Sequence, residues 1–249
     1  MSIVIPARND AEALERTLGH LTGELPSAAE IIVAAAGPRA EVEQAVKGRA
    51  RLIWPEGTTR ARMMNAGAAR SRGDVLFFLH ADSFPPTDAL AQIAWALADP
   101  RAVGGAFEHV FAERVWSLRV ITCINRIRYR LTRNYYGDQG IFGRADVFRA
   151  VGGYPDQALL EDLVLSRRLR RLGRYVLVRT PLVGVGSALS RPRPVAHVLL
   201  HRLAPPATHA WPRYAALRRA LARAGASGPR QPLALHVLSE PWGITWMRR

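Results

Sequence analysis

Val75–Pro86 reads VLFFLHADSFPP. An apolar run this short, closed by a turn signal, describes a strand buried on both faces and not a helix. Strands of that kind belong to parallel sheets covered by helices. The residues upstream supply such a sheet. Ser2–Pro6 (SIVIP) is an apolar strand, followed by Asn9 and Asp10 as N-cap candidates and by Leu14, Leu18 and Leu21 at helical spacing. Glu30–Val33 and Arg51–Trp54 read as two further strands, and Arg60–Arg70 as a helix of small residues. Thr87 and Asp88 open another helix, with Leu90, Ala94 and Leu97 on one face. Strands alternating with helices predict an α/β fold with a mostly parallel central sheet flanked by helices.

Downstream the alternation loosens. Val103–Phe111 and Ile141–Arg144 read as strands, Val115–Leu131 as a basic amphipathic helix, Asp162–Leu172 as a helix and Tyr175–Val178 as a last short strand. Beyond Ser190 the composition shifts to Pro, Arg and Ala. One domain over residues 1–190 is therefore expected, followed by a basic helical extension over 191–249. Within it, helices are expected at Val195–Leu203 and Tyr214–Ala224, with a connector over Gly225–Pro232.

The 249 residues are 49% hydrophobic, enough for a sizeable core and against global disorder. No apolar run approaches the roughly 20 residues of a spanning helix. MSIVIPARND enters a strand directly, with no charged leader, so no signal peptide is expected. The single cysteine, Cys123, excludes an internal disulfide framework and a thiolate zinc cluster. A cytoplasmic protein is the expectation, with a peripheral place at the inner membrane face as its extension. The net charge of +15 suits phosphorylated ligands or an anionic membrane surface, and equally a solvated arginine-rich surface. Nucleic acid is not the expected partner.

Asp82 follows a buried strand, where open α/β sheets bind ligands. A carboxylate there can hold Mg²⁺ or Mn²⁺ against a diphosphate, or simply cap the turn before Pro85-Pro86. By strand periodicity His80 points to the same side, as a further ligand or as a packed histidine. Glu161 and Asp162 follow the turn Gly152-Gly153-Tyr154-Pro155 and begin a helix. They complement the helix dipole, and Asp162 can also serve as a general base. Arg60, Arg62 and Asn65, at the start of their helix, suit phosphate oxygens or a plain exposed surface. Asp138 and Gln139 precede a strand and suit a sugar or an Asx turn.

Together these segments, in this order, resemble the family 2 glycosyltransferases with the GT-A fold, from Ser2 to about Ser190. Ser2–Asp10 (SIVIPARND) is similar to the family's opening strand and nucleotide-contacting loop, which implies a binding role for Pro6, Ala7, Arg8 and Asn9. Arg60–Ala69 with Gly73–Pro86 is similar to the stretch leading into the metal-binding acidic motif, with His80 in its first acidic position, then Ala81, then Asp82 in its last. Glu161-Asp162 with LSRRLRRLG resembles the base-bearing motif. The resemblance implies an inverting, metal-dependent transfer of a sugar from a nucleotide-sugar donor to an acceptor hydroxyl. It gives Asp162 as base, Asp82 as metal ligand, and Asp138, Gln139 and Glu161 facing acceptor or donor sugar. Several segments resemble a small bacterial subgroup labelled arsenosugar-type biosynthetic glycosyltransferases. One departure stands out. Where the family carries an acidic residue after its second strand this chain has Ala35, in VAAAGP, so base recognition falls to backbone groups or to Ala7, Arg8 and Asn9.

Two other enzyme classes lack their signatures. A sugar-phosphate nucleotidyltransferase wants G-x-G-T-R where Pro6-Ala7-Arg8-Asn9 stands, and no G-x-G-x-x-G follows the first strand. The alternative from another class is a non-catalytic homologue, a binding or scaffold protein; Ala35 and His80 speak for it, Asp82 and Asp162 against it.

Overall fold

The computed structural model describes residues 1–185, apart from residues 24, 27, 113–115 and 158. Met1–Val185 form one compact unit. The expected extension, residues 191–249, lies outside the described residues.

Chain order runs β1 (Ser2–Arg8), α1 (Ala11–Thr22), β2 (Glu30–Ala36), α2 (Arg39–Val46), β3 (Arg51–Ile53), α3 (Arg60–Ala69), β4 (Val75–Phe78), β5 (Ser83–Phe84) and α4 (Ala89–Ala96). It continues with β6 (Ala102–Phe111), α5 (Trp116–Thr132), a 3₁₀ turn (Gly137–Gln139), β7 (Ile141–Arg144), α6 (Ala145–Ala150), α7 (Glu161–Leu172) and β8 (Arg174–Gly184). One sheet takes the order β3-β2-β1-β4-β7-β6-β8-β5. Its first four strands are mutually parallel, β7 is antiparallel to both β4 and β6, and β8 is parallel to β6. The α/β sheet with helices on its faces is therefore as expected.

The strands alternate between two apolar layers. Ile3, Ile5, Val33 and Phe77 pack in one buried cluster with Leu14, Leu18 and Leu21 of α1, while Val4, Leu76 and Phe78 enter another with Met64, Leu165 and Leu169. Burying a large side chain of this kind contributes about 1.5–3 kcal/mol, so both faces need their helices. Gly67 of α3 lets that helix close onto β1: a Cβ there would lie 2.4 Å from Val4 Cγ1.

Some local expectations change. β1 extends through Ala7 and Arg8, which therefore stand in the strand. β4 ends at Phe78, and Ser83 N–H donates to the His80 carbonyl, so residues 80–83 form a turn and strand periodicity does not govern His80 and Asp82. The last strand is not Tyr175–Val178 but Arg174–Gly184. It passes Pro181 because its pairing with β6 shifts register between Phe107 and Glu108, where the ladder needs no regular donor.

Strand order fixes where a ligand belongs. From β1 the chain moves outward to β2 and β3, then crosses back to β4 on the other side of β1. The crevice beyond the carboxyl ends of β1 and β4 is the switch point of the sheet. Antiparallel β7, whose Ile141 pairs with Phe78, brings its preceding turn to that same edge.

Candidate active site

Three chain segments converge on this edge. The first is the turn after β4, fixed from both sides: Thr17 Oγ1 of α1 donates to the Ala81 carbonyl (2.7 Å), and the Asp82 carbonyl accepts from Val185 N–H (3.1 Å). The second is the turn at Gly137. The third is the start of α7, entered through Leu160 at φ 60°, a left-handed conformation costly for leucine.

Asp162 joins the last two. Its Oδ2 accepts from Gly137 N–H (2.6 Å) and its Oδ1 from Leu163 N–H (2.7 Å), which together fix the plane of a buried carboxylate. Gly137 makes room for this: a Cβ there would lie 2.7 Å from His80 Nε2 and 3.4 Å from Asp162 Oδ2. His80 and Asp162 thus face each other across a glycine. Burial, and then the Glu161 carboxylate, lift Asp162 to about 6, against the pull of the two backbone donors and Arg60. Burial and Arg60 hold the His80 imidazole neutral, down to about 3, and its buried Nε2 has no hydrogen-bond partner among the described residues.

Arg60 is the cation common to the site. Its guanidinium lies 3.6 Å from buried Glu161, and its field acts on His80, Asp82 and Asp162 alike. Asp82 is raised by burial, and further by the carboxylates of Asp10 and Asp138. A divalent cation would relieve that repulsion, and the neutral, unpartnered His80 nitrogen suits one as well. Among the described residues, however, no three His, Cys, Asp or Glu side chains gather to hold a metal. Asp82 offers the single carboxylate that a cation completing its shell with phosphate oxygens and water would need.

The other candidates divide. Arg8 and Asn9 are exposed at the end of β1, Pro6 is half-buried, and Ala7 and Ala81 point into the core. Asn9, at φ 52°, crosses Gly37, where a Cβ would collide with its Oδ1 at 2.2 Å. Arg62 stands apart, clasped to exposed Asp156 by Nε (2.9 Å) and Nη2 (2.6 Å). Asn65 turns both ends of its amide to the Tyr154 backbone (2.8 and 2.9 Å). Gln139, fully buried, accepts from Tyr136 N–H and donates to the Phe107 carbonyl. Both amides hold loops. Ala35 is 1% exposed and pairs in register with Ala7, inside the cluster that contains Leu14 and Val42. Sequence reasoning missed Thr17 and Gly137. The first looks like any helix threonine, while Gly137 stood in plain view beside Asp138.

Residues 2–152 match the glycosyl transferase family 2 domain. No curated protein matches the chain. Solved structures share its fold at low identity. The mannosyltransferase PcManGT from Pyrobaculum calidifontis, in complex with GDP-Man and Mn²⁺, aligns at TM-score 0.60 and 19% identity over 95% of this chain and 77% of its own. Glucosyl-3-phosphoglycerate synthase from Mycobacterium tuberculosis, with Mn²⁺, UDP and glucosyl-3-phosphoglycerate, aligns at 0.57 and 16% over 83% and 81%. S. aureus TarS 1–349 aligns at 0.58 and 12% over 84% and 67%. With its GT-A architecture and a family match over more than half its length, the chain belongs to glycosyl transferase family 2.

Proposed function

We propose that this glycosyltransferase works by inversion, with Asp162 as general base, on a nucleotide-sugar bound at the crevice between β1 and β4. The observation that carries this reading is the Asp162 carboxylate: buried, gripped by two backbone N–H groups, and lifted to about 6 beside His80. An acceptor hydroxyl gives its proton to Asp162 as its oxygen attacks the anomeric carbon. The bond from that carbon to the diphosphate breaks on the opposite face, and the nucleoside diphosphate leaves. A base near 6 is ionised at neutral pH yet basic enough to share a proton in the transition state. A single displacement needs only the base, Asp162, whereas retention would need a nucleophile as well.

Mg²⁺ or Mn²⁺, held by Asp82, would neutralise charge building on the diphosphate. Arg60 adds a fixed positive charge to the same crevice, and His80 offers a neutral imidazole beside it. Arg8, Asn9 and backbone groups at the end of β1 take the nucleobase, since Ala35 has no acceptor to offer. Asp138 and Glu161 face the sugar or acceptor. Transfer of a hexosyl group, kinship with the arsenosugar-type subgroup, and work at the inner membrane face of a bacterial cell extend this reading.

One observation favours a second reading, a homologue that binds without transferring: Ala35 lies sealed among apolar side chains. Thermal shift with several nucleoside diphosphates, with and without Mn²⁺, separates the two, because a specific ligand raises the melting temperature. Stabilisation by diphosphate that requires the cation supports the transferase. No stabilisation by any of them supports the second reading.

A further inference from the structure

The inner face of α5 carries donors that meet no acceptor among the described residues. Arg128 is half-buried, yet its Nε and Nη2 are sealed from solvent and meet no acceptor among the described residues. Those two atoms form the side-on edge of a guanidinium, the edge that clasps carboxylate and phosphate bidentately. This chain uses the same edge elsewhere, where Nε and Nη2 of Arg62 both donate to Asp156 Oδ2. The plane of Arg128 is set in advance: its Cζ lies 4.0 Å over the Tyr136 ring and 4.7 Å over that of Tyr129. One turn earlier, Asn125 is 1% exposed and its Nδ2 also meets no acceptor among the described residues. Residues three apart share a helix face, so the amide and the fork stand together.

Neighbouring arginines show that this is not a shortage of carboxylates. Arg126 Nε reaches buried Glu108 at 3.0 Å, and Arg130 approaches it at 3.8 Å. A buried charged donor without a partner is strongly unfavourable, so a preorganised fork with no acceptor among the described residues calls for an anion. Its location adds meaning. Tyr136, the ring under the fork, directly precedes Gly137, whose N–H holds Asp162.

We propose that the Nε–Nη2 edge of Arg128, with the Asn125 amide, binds an oxyanion carried by the acceptor, as a phosphate ester or a carboxylate. The word acceptor rests on the proposed transfer reaction; the anion site itself does not, and it is measured with no donor present. Calorimetry at low salt on the full chain takes inorganic phosphate and acetate as free probes. Vesicles containing phosphatidic acid present the same chemistry as a lipid head group. Arg128→Lys keeps the charge and loses the fork, so binding should weaken about tenfold or more. Asn125→Asp places a carboxylate beside the fork; it should abolish anion binding while the melting temperature holds or rises, which guards against simple unfolding. Binding of free phosphate or acetate that depends on Arg128 supports a soluble anionic acceptor, and such binding to vesicles alone supports a lipid-borne one. Equal binding by wild type and Arg128→Lys overturns the proposal. So does loss in Arg60→Gln without loss in Arg128→Lys, which would put the anion in the donor crevice, and so does no binding at millimolar probe.

Discussion

At the residue scale, the proposed reaction divides its chemistry between Asp162 and Asp82 by their surroundings. Burial lifts both, but only Asp162 has its two oxygens tied by backbone donors, while Asp82 faces the like charges of Asp10 and Asp138. As the proposed base Asp162 would act in its ionised form, so turnover should rise with pH and reach half its plateau near 6. The same shift bears on stability. The folded state holds this proton more tightly than the unfolded chain, where an aspartate titrates near about 3.9. The contribution to stability is thus complete below about pH 4 and lost as pH rises through about 6. Denaturation measured from pH 4 to 7 should show that downward slope, flattened in Asp162→Asn; an equal slope in both proteins would refute the assignment. Asp82→Asn should leave the fold intact and remove the metal dependence of nucleoside diphosphate binding by calorimetry. Unchanged dependence would take the metal away from Asp82. Ala35→Asp would bury a carboxylate in an apolar cluster, so its melting temperature should fall, and uridine diphosphate should restore it if the new acceptor meets the base.

At the scale of elements, the site is a meeting of turns held by helices. Thr17 of α1 satisfies the buried Ala81 carbonyl and so steadies the Asp82 turn. Thr17→Val keeps the shape and orphans that carbonyl, at a cost of about 1–3 kcal/mol. Chemical denaturation should read that loss together with weakened metal-dependent binding; a stability loss without the binding change would reduce Thr17 to a structural prop. Periodicity made most elements legible. Leu14, Leu18 and Leu21 announced α1, and VLFFL announced β4. Other elements carried weaker signals. Helix α2 buries only Val42, Ala45 and Val46 and follows Ala-Ala-Gly-Pro, so it shows little amphipathic pattern. The two residues of β5 are too few for any period. Arg179-Thr180-Pro181 read as the end of β8, because only the shifted register with β6 lets a proline continue there.

At the scale of the molecule, strand order joins residues far apart in sequence. His80, Gly137 and Asp162 meet because β7 pairs antiparallel with β4 and brings its preceding turn to the edge where β4 ends, and no local pattern contains that information. The carboxylates were readable as residue types at element ends. The pairing of Asn65 with Tyr154 and of Gln139 with Phe107 was not, since an amide in a loop looks alike whether it serves a ligand or a backbone. Net charge acts at this scale too. With +15 on the chain, sedimentation with anionic vesicles at low salt is the expected result, reversed near 1 M salt where the screening length falls to about 3 Å. No sedimentation at low salt would reject the membrane-surface reading.

In the proposed reaction Asp162 deprotonates an acceptor as a nucleotide-sugar is consumed with inversion. Proton NMR of donor turnover, on wild type and Asp162→Asn, is the decisive experiment. The expected product has inverted anomeric configuration, and turnover is lower by about 100-fold or more in Asp162→Asn with nucleoside diphosphate affinity nearly unchanged. A product that retains configuration, or an Asp162→Asn enzyme as fast as wild type, would contradict this mechanism.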